Sequence, residues 1–233
     1  MATDLRQPRL GRPRAEPGGP PGEPREVILD VAAGLFTTVG YARTTTREVA
    51  RAAGLRQASL FHYFARKDDV LAELLDRTVD PALQFLRELE RREGAPEVKL
   101  ASLVRRDVEN LCSGPHNLGA LQLLPEVRPG VRAGAERSEQ FAPFWAKRAQ
   151  LRSGYRRFIR AAMATGAYPA APLELSTDIV FGLVESVISW YDRRARRRPA
   201  PAEVAEAVAV AAGRALGAGD GARPVGLAPK QTR

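Results

Sequence analysis

Residues 44–67 read TTTREVARAAGLRQASLFHYFARK, and this stretch predicts two short helices joined by a tight turn. Thr45 followed by Glu48 is typical of a capping box, in which each side chain binds the backbone amide that the other leaves open at a helix start. Gly54 stands where a left-handed residue can end the first helix without a Cβ clash. We expect the second helix from about Gln57 to Phe64. The pattern is that of a helix-turn-helix.

The charge of this stretch favours a polyanionic partner. Its basic residues from Tyr41 onward are Arg43, Arg47, Arg51, Arg56, Arg66 and Lys67, against the single acid Glu48. A short helix with exposed polar and aromatic side chains fits the major groove of DNA, where base edges offer donors and acceptors. A helix-turn-helix pattern alone is often just two packed helices. Here the cap, the turn glycine and the charge occur in register, so we predict DNA binding.

Residues 40–71, GYARTTTREVARAAGLRQASLFHYFARKDDVL, resemble the DNA-binding domain of the tetracycline repressor (TetR) family. The family pattern is a Gly-aromatic pair, Thr-Thr, Ile/Val-Ala, Ala-Gly-Val, Leu-Tyr-x-Tyr/His-Phe and a Lys, and it is met at almost every position from Gly40 to Lys67. The resemblance implies a homodimeric transcriptional regulator, a repressor, that binds a palindromic operator in double-stranded DNA. It also implies release from the operator by a small-molecule effector.

The resemblance also assigns individual DNA contacts. It makes Arg47 and Gln57 base readers, and Thr46 and Lys67 phosphate contacts. Residues 59, 61 and 63 would touch the DNA backbone or a thymine methyl group. The full predicted set is Thr45, Thr46, Arg47, Arg56, Gln57, Ser59, Phe61, His62, Tyr63 and Lys67.

One position departs from the family pattern. Arg56 stands where the family commonly has a serine that caps the second helix. We expect the loss of a cap worth about 1 kcal/mol and the gain of a phosphate-seeking charge.

The composition limits the class of protein. The 233 residues carry a net charge of +9 and are 44% hydrophobic, which suits one or two all-α domains that bind a polyanion. No apolar run is long enough for a membrane span or a signal peptide, so we expect a cytoplasmic protein without a membrane partner. The single Cys112 excludes an internal disulfide framework, and with only His62 and His116 a closed zinc site is not expected. No cofactor is predicted.

We predict four segments along the chain: a disordered basic arm over 1–23, the three-helix DNA-binding domain over 24–67, a helical effector-binding and dimerisation domain over 68–216, and a disordered tail over 217–233. The arm could lie along DNA through Arg6, Arg9, Arg12 and Arg14, although a solvated tail is the favoured interpretation.

Further helices are expected over Pro24–Val39, Ala135–Thr165, 173–194 and Pro201–Leu216. The helix that begins near Asp68 either kinks at Pro81 or is divided there. Arg193 to Arg198 form a dense basic run that we interpret as a solvated loop, with a second polyanion site as the less favoured alternative.

The last two helices predict a dimer surface, because one has two apolar faces and the other is rich in alanine. The resemblance implies the same arrangement, and the competing interpretation is an ordinary monomer core. The predicted interface residues are Ile179, Leu183, Val187, Trp190, Val204 and Val208.

The resemblance further implies a helical effector pocket, whose candidate lining residues could equally be plain core. We expect an apolar or aromatic effector, since no acids cluster among the aromatic residues of the long helix. A family member without an effector is an open alternative. The candidates are Phe85, Leu103, Cys112, Leu121, Trp145, Tyr155, Phe158 and Phe181.

The sequence contains no recognisable catalytic arrangement. We find no nucleophile–base pair, no metal-ligand cluster and no Gly-rich phosphate loop at a strand-to-helix turn, so an enzyme is not expected. Two other functions stay open: a sequence-indifferent DNA-coating protein, and an all-helical enzyme or binding protein with a basic surface.

Overall fold

The computed structural model describes residues 23–128 and 139–218. These residues form helices and no strand, which confirms the all-α prediction. The α-helices are α1 Pro24–Leu35, α2 Thr46–Ala52, α3 Gln57–Phe61, α4 Lys67–Arg91, α5 Pro96–Cys112, α6 Ala142–Ala164, α7 Leu173–Trp190 and α8 Pro201–Ala215. A π turn over Phe36–Gly40 continues α1, and a 3-10 helix over Leu118–Leu123 lies between α5 and α6.

Several predicted boundaries shift. Helix α3 ends at Phe61, three residues earlier than expected, because the amide of Tyr63 turns back to the carbonyl of Leu60. Helix α4 runs unbroken through Pro81, so its predicted division there is wrong. The arm through residue 22, the tail from residue 219 and the first residues of the predicted long helix, 135–138, lie outside the described residues.

The first three helices surround a small core. Leu29 of α1, Val49 of α2 and Leu60 of α3 are each at most 2% exposed. Phe36 packs edge-on against Tyr41 with 5.0 Å between ring centroids. Phe61 lies outside this core and is 46% exposed, because the short α3 turns it outward.

Helix α6 runs beside α4 in the same direction. The two helices approach closely at Gly154, where a Cβ atom would lie only 2.3 Å from Cδ2 of Leu86. The polar contacts between them keep the same order along both helices: Gln140 with Asp69, Lys147 with Asp76 and Asp80, and Arg157 with Glu90.

Helices α7 and α8 reverse direction in turn. Helix α7 is antiparallel to α6, since Arg156 pairs with Glu174 near its start and Arg148 pairs with Glu185 near its end. The start of α7 therefore lies far from the first three helices, and its end lies close to them.

Contacts of α1 with α4 and with the α5–α6 connection join the first three helices to the rest of the chain. Arg25 pairs with Glu73, and Arg77 pairs with Glu26 at 2.7 Å. His116 follows α5 and packs against α1, where its ring lies 3.2 Å from the position that a Cβ atom on Gly34 would take. The α5–α6 connection is thus in direct contact with the first helix.

Candidate nucleic-acid interface

The predicted capping box at the start of α2 is confirmed. The amide of Glu48 donates to Oγ1 of Thr45 at 3.2 Å, and the amide of Thr45 donates to Oε2 of Glu48 at 2.7 Å. The hydrogen bond from the Thr45 backbone is the main cause that lowers the pKa of Glu48. The single acid between Tyr41 and Lys67 is therefore used within the cap, and Arg47 beside it is exposed.

Helix α3 begins without a side-chain cap, as predicted for Arg56. Nε2 of Gln57 donates to Oγ1 of Thr46 at 3.0 Å, which joins the starts of α2 and α3. A polar side chain from each helix therefore meets at one point of the surface.

The outer side of α3 and the turn after it carry exposed aromatic side chains. Phe61 is 46% exposed and Tyr63 is 39% exposed, and His62 between them is also exposed. Ser59 and Thr46 are half-buried. With Arg47, Arg56 and Gln57, these side chains form one surface, which we call the reader surface.

Lys67 is half-buried and makes contacts within the chain. Its ammonium donates to the carbonyls of Tyr41 and Thr44 at 2.8 and 2.9 Å, and it lies 4.1 Å from the centroid of the Tyr41 ring. The ammonium thus binds the turn between α1 and α2 to the start of α4. The structure shows this internal role, and the phosphate contact of Lys67 stays a prediction.

The predicted effector-pocket residues lie mostly in packed core. Leu103, Cys112, Leu121, Tyr155 and Phe158 are buried. Phe85, Trp145 and Phe181 are half-buried, and the rings of Tyr155 and Phe181 contact each other edge-on with 5.5 Å between centroids. An open groove of about 460 Å³ between α4 and α6 contains none of the eight, and it is lined by Leu83, Leu86, Arg87, Glu90, Ala146, Ala149, Gln150, Ser153 and Arg157.

A buried polar cluster lies beside Tyr155 and was not predicted. The hydroxyl of Tyr155 donates to Oδ2 of Asp107 at 2.9 Å, and burial raises the pKa of Asp107 to about 6. Arg148 of α6 pairs with Glu185 of α7, and its guanidinium lies 5.1 Å from the centroid of the Phe181 ring. We call Asp107, Arg148, Tyr155 and Glu185 the core polar cluster.

The acids of this cluster come from α5 and α7, so they lie beside the aromatic residues of the long helix without belonging to it. The sequence did hold one signal for the cluster. Asp107 stands four residues after Leu103 and four before Leu111, so it lies on the apolar face of α5. A carboxylate at such a position requires a buried partner.

The predicted dimer residues divide into two groups. Ile179 and Trp190 are 42% and 52% exposed, and they share one face of α7 with Leu175, which is 58% exposed. Leu183 is half-buried. Val187, Val204 and Val208 are buried in the chain's own core, so their assignment to a dimer surface is wrong. We call Leu175, Ile179 and Trp190 the α7 stripe.

The described residues contain neither a candidate metal site nor a candidate membrane span. Over residues 23–128 and 139–218, no cluster of three or more His, Cys, Asp or Glu side chains could hold a metal ion. None of the helices in this part of the chain has the length and apolar character needed to cross a membrane.

Comparison with known proteins places these features in a family. Residues 28–74 match the family described as bacterial regulatory proteins, tetR family. The crystal structure of AmtR from Mycobacterium smegmatis is 43% identical, with a TM-score of 0.73, over 87% of this chain and 90% of AmtR. The chain belongs to the TetR family. This TetR-family protein is accordingly a regulatory protein and not an enzyme.

Other relatives of the TetR-family protein match a shorter segment or only the fold. KstR2 of Rhodococcus jostii, a transcriptional repressor, is 38% identical over 65 residues, which are 28% of this chain and 32% of KstR2. The chain thus spans about a third of the length of that curated relative. AibR, solved with isovaleryl coenzyme A and operator DNA, shares the fold with a TM-score of 0.64 at 18% identity, over 80% of this chain and 96% of AibR.

Proposed function

We propose that this TetR-family protein is a dimeric transcriptional repressor that reads a palindromic operator with α3 in the major groove. The observation that carries the proposal is the reader surface, where Gln57, Phe61 and Tyr63 are exposed beside two arginines. Exposed aromatic rings are costly at a free surface and suit contact with base methyl groups or sugars. Arg47 and Gln57 have the donor geometry for base edges.

The α7 stripe supports the dimer. Its three large apolar side chains are solvent-exposed in the single chain, although α7 is otherwise buried against α5, α6 and α8. Packing the stripe against its symmetry copy would remove them from water, as isologous dimer interfaces do. Two reader surfaces would then lie on one side of the dimer, as a palindrome requires.

The core polar cluster is the proposed point of effector action. AibR binds both an acyl thioester ligand and operator DNA, as its structure shows, and we propose a comparable second site here. A ligand with an apolar body and a polar or anionic group could stack near Phe181 and replace Glu185 on Arg148. This adds a polar or anionic group to the apolar or aromatic effector expected from the sequence. Coupling of about 1 to 3 kcal/mol would change operator affinity by about 5- to 150-fold.

Selection of bound sequences from random DNA tests the proposal. We expect an inverted repeat to be recovered, and Arg47→Ala and Gln57→Ala to lose about 1 to 3 kcal/mol of discrimination at defined positions. Arg160→Ala is the matched control, because Arg160 is exposed at the end of α6 that lies far from the reader surface. Equal losses on operator and random DNA would favour the sequence-indifferent DNA-coating protein instead.

A further inference from the structure

The loop between α7 and α8 carries an unusual concentration of cations. Residues 192–199 read DRRARRRP. Two of its arginines bind backbone carbonyls: half-buried Arg193 donates to the carbonyl of Leu111, and exposed Arg198 donates to the carbonyl of Arg193. Half-buried Arg193 corrects the prediction that the whole run is solvated. The internal bonds hold the loop in a defined shape.

The other three arginines face solvent. Arg194, Arg196 and Arg197 are exposed, and among the described residues no acid forms an ion pair with their side chains. The backbone amide of Arg194 donates to Oδ1 of Asp192 at 2.8 Å, which helps to fix the loop. We call Arg194, Arg196 and Arg197 the arginine triad.

The fold places this loop at the end of the second domain that lies close to α1. Nδ2 of Asn117 donates to the carbonyl of Ile188 at 2.8 Å, close to the end of α7. One residue earlier in the chain, His116 packs against Gly34 of α1. The end of α7 is therefore linked to the first domain through a single short segment, and the triad begins four residues beyond Trp190.

The dimer proposed above would bring two such loops together. Trp190 is the last residue of the α7 stripe and immediately precedes the loop segment. Pairing the stripes therefore draws both triads toward the two-fold axis, between the two reader surfaces. Duplex DNA carries one negative charge for about every 1.7 Å of its axis, and the stretch between two half-sites faces this part of the dimer.

We propose that the arginine triad is a second DNA-binding site, which contacts phosphates between the two half-sites of the operator. The proposal rests on the dimeric, DNA-bound state proposed above. Guanidinium groups bind phosphate oxygens through paired N–H donors, so three solvent-facing arginines in a shaped loop suit this ligand. The triad contributes affinity without reading bases, because phosphate contacts carry no direct sequence information.

The test compares two triple variants of the full-length protein on one selected operator. The first is Arg194→Gln with Arg196→Gln and Arg197→Gln, and the control is Arg87→Gln with Arg91→Gln and Arg160→Gln, three exposed arginines at the far end of α4 and α6. Both remove the same charge. The slope of log affinity against log salt falls by about 0.9 for each phosphate that the protein no longer neutralises. We expect the triad variant to lower the slope by at least about 2 and to weaken binding about tenfold or more at about 0.1 M salt.

A second arm locates the contact on the DNA. Operators with neutral methylphosphonate linkages at the central phosphates should weaken binding by the wild-type protein and leave binding by the triad variant unchanged. Circular dichroism melting checks that both variants are folded. Equal slopes for the triad variant and the control overturn the proposal, as would occur if the loop bound an acidic protein. If wild-type protein binds no duplex selectively, the proposed function fails instead, so the two failures are distinguishable.

Discussion

Lys67 shows how one side chain can hold two segments of the backbone together. Its ammonium makes two hydrogen bonds to backbone carbonyls and lies over the Tyr41 ring. Hydrogen bonds to a charged group contribute about 1.5 to 3 kcal/mol each. We expect Lys67→Met to lower the free energy of unfolding by about 2 kcal/mol or more in urea denaturation. Exposed Arg66→Met is the control, and equal stability of the two variants would contradict the internal role.

Asp107 predicts a pH-dependent stability. Its pKa rises from the usual 3.8 to about 6, first because burial disfavours the charged form, and the Tyr155 hydroxyl and Arg148 only partly oppose this. The folded state therefore binds more protons than the unfolded state between those two values. The free energy of unfolding should fall by up to about 3 kcal/mol as pH rises from about 4 to about 6.

The Asp107→Asn variant isolates this contribution. It carries no titrating group at this position, so the unfolding free energy of wild type relative to that of the variant should fall by about that amount from about pH 4 to about pH 6.5. Urea denaturation at a series of pH values measures it. Glu93→Gln, at an exposed site, serves as the control. Parallel pH profiles for wild type and Asp107→Asn would refute the buried titration.

Among the elements, α3 combines weak intrinsic stability with the proposed DNA contact. It has five residues and no side-chain cap, because Arg56 occupies the N-cap position. Arg56→Ser should restore a cap and raise the free energy of unfolding by about 1 kcal/mol. The same change should lower the salt slope of operator binding by about 2 for the dimer, since one cation per subunit is removed. Thermal melting and salt titration measure the two effects, and a loss of stability would contradict the capping argument.

Local signals explain which elements could be predicted. Thr45, Glu48 and Gly54 act within a few residues of each other, so the helix-turn-helix could be predicted from the sequence. The inward turn of Lys67 depends on carbonyls 26 and 23 residues away, and the bond between Tyr155 and Asp107 spans 48 residues. The periodicity of apolar residues does not indicate which residues so far apart in the chain will pair. It also could not tell which apolar face of α7 is covered by α8, and for that reason the prediction for Val187 is wrong.

At the scale of the whole molecule, the α7 stripe predicts the oligomeric state. We expect Ile179→Glu to give a monomer in size-exclusion chromatography with light scattering at micromolar concentration, because two copies of the charge would be buried without partners. The matched control is Leu123→Glu, since Leu123 is also exposed, at 52%, but belongs to the 3-10 helix and not to α7. A dimer that persists in Ile179→Glu would place the interface elsewhere.

Helix α4 gives this architecture a mechanical property. Its 25 residues run without interruption from the ammonium-bound turn at Lys67 to Arg91, a rod of about 37 Å. Rotating such a rod by about 5° about its far end would displace the other end by about 3 Å, close to the roughly 3.4 Å step between successive bases. A shift of roughly one base step per subunit would be enough to move the two reader surfaces out of register with the two half-sites of the proposed operator. A small rearrangement at the far end of α4 would thereby become a larger change in the distance between the two reader surfaces.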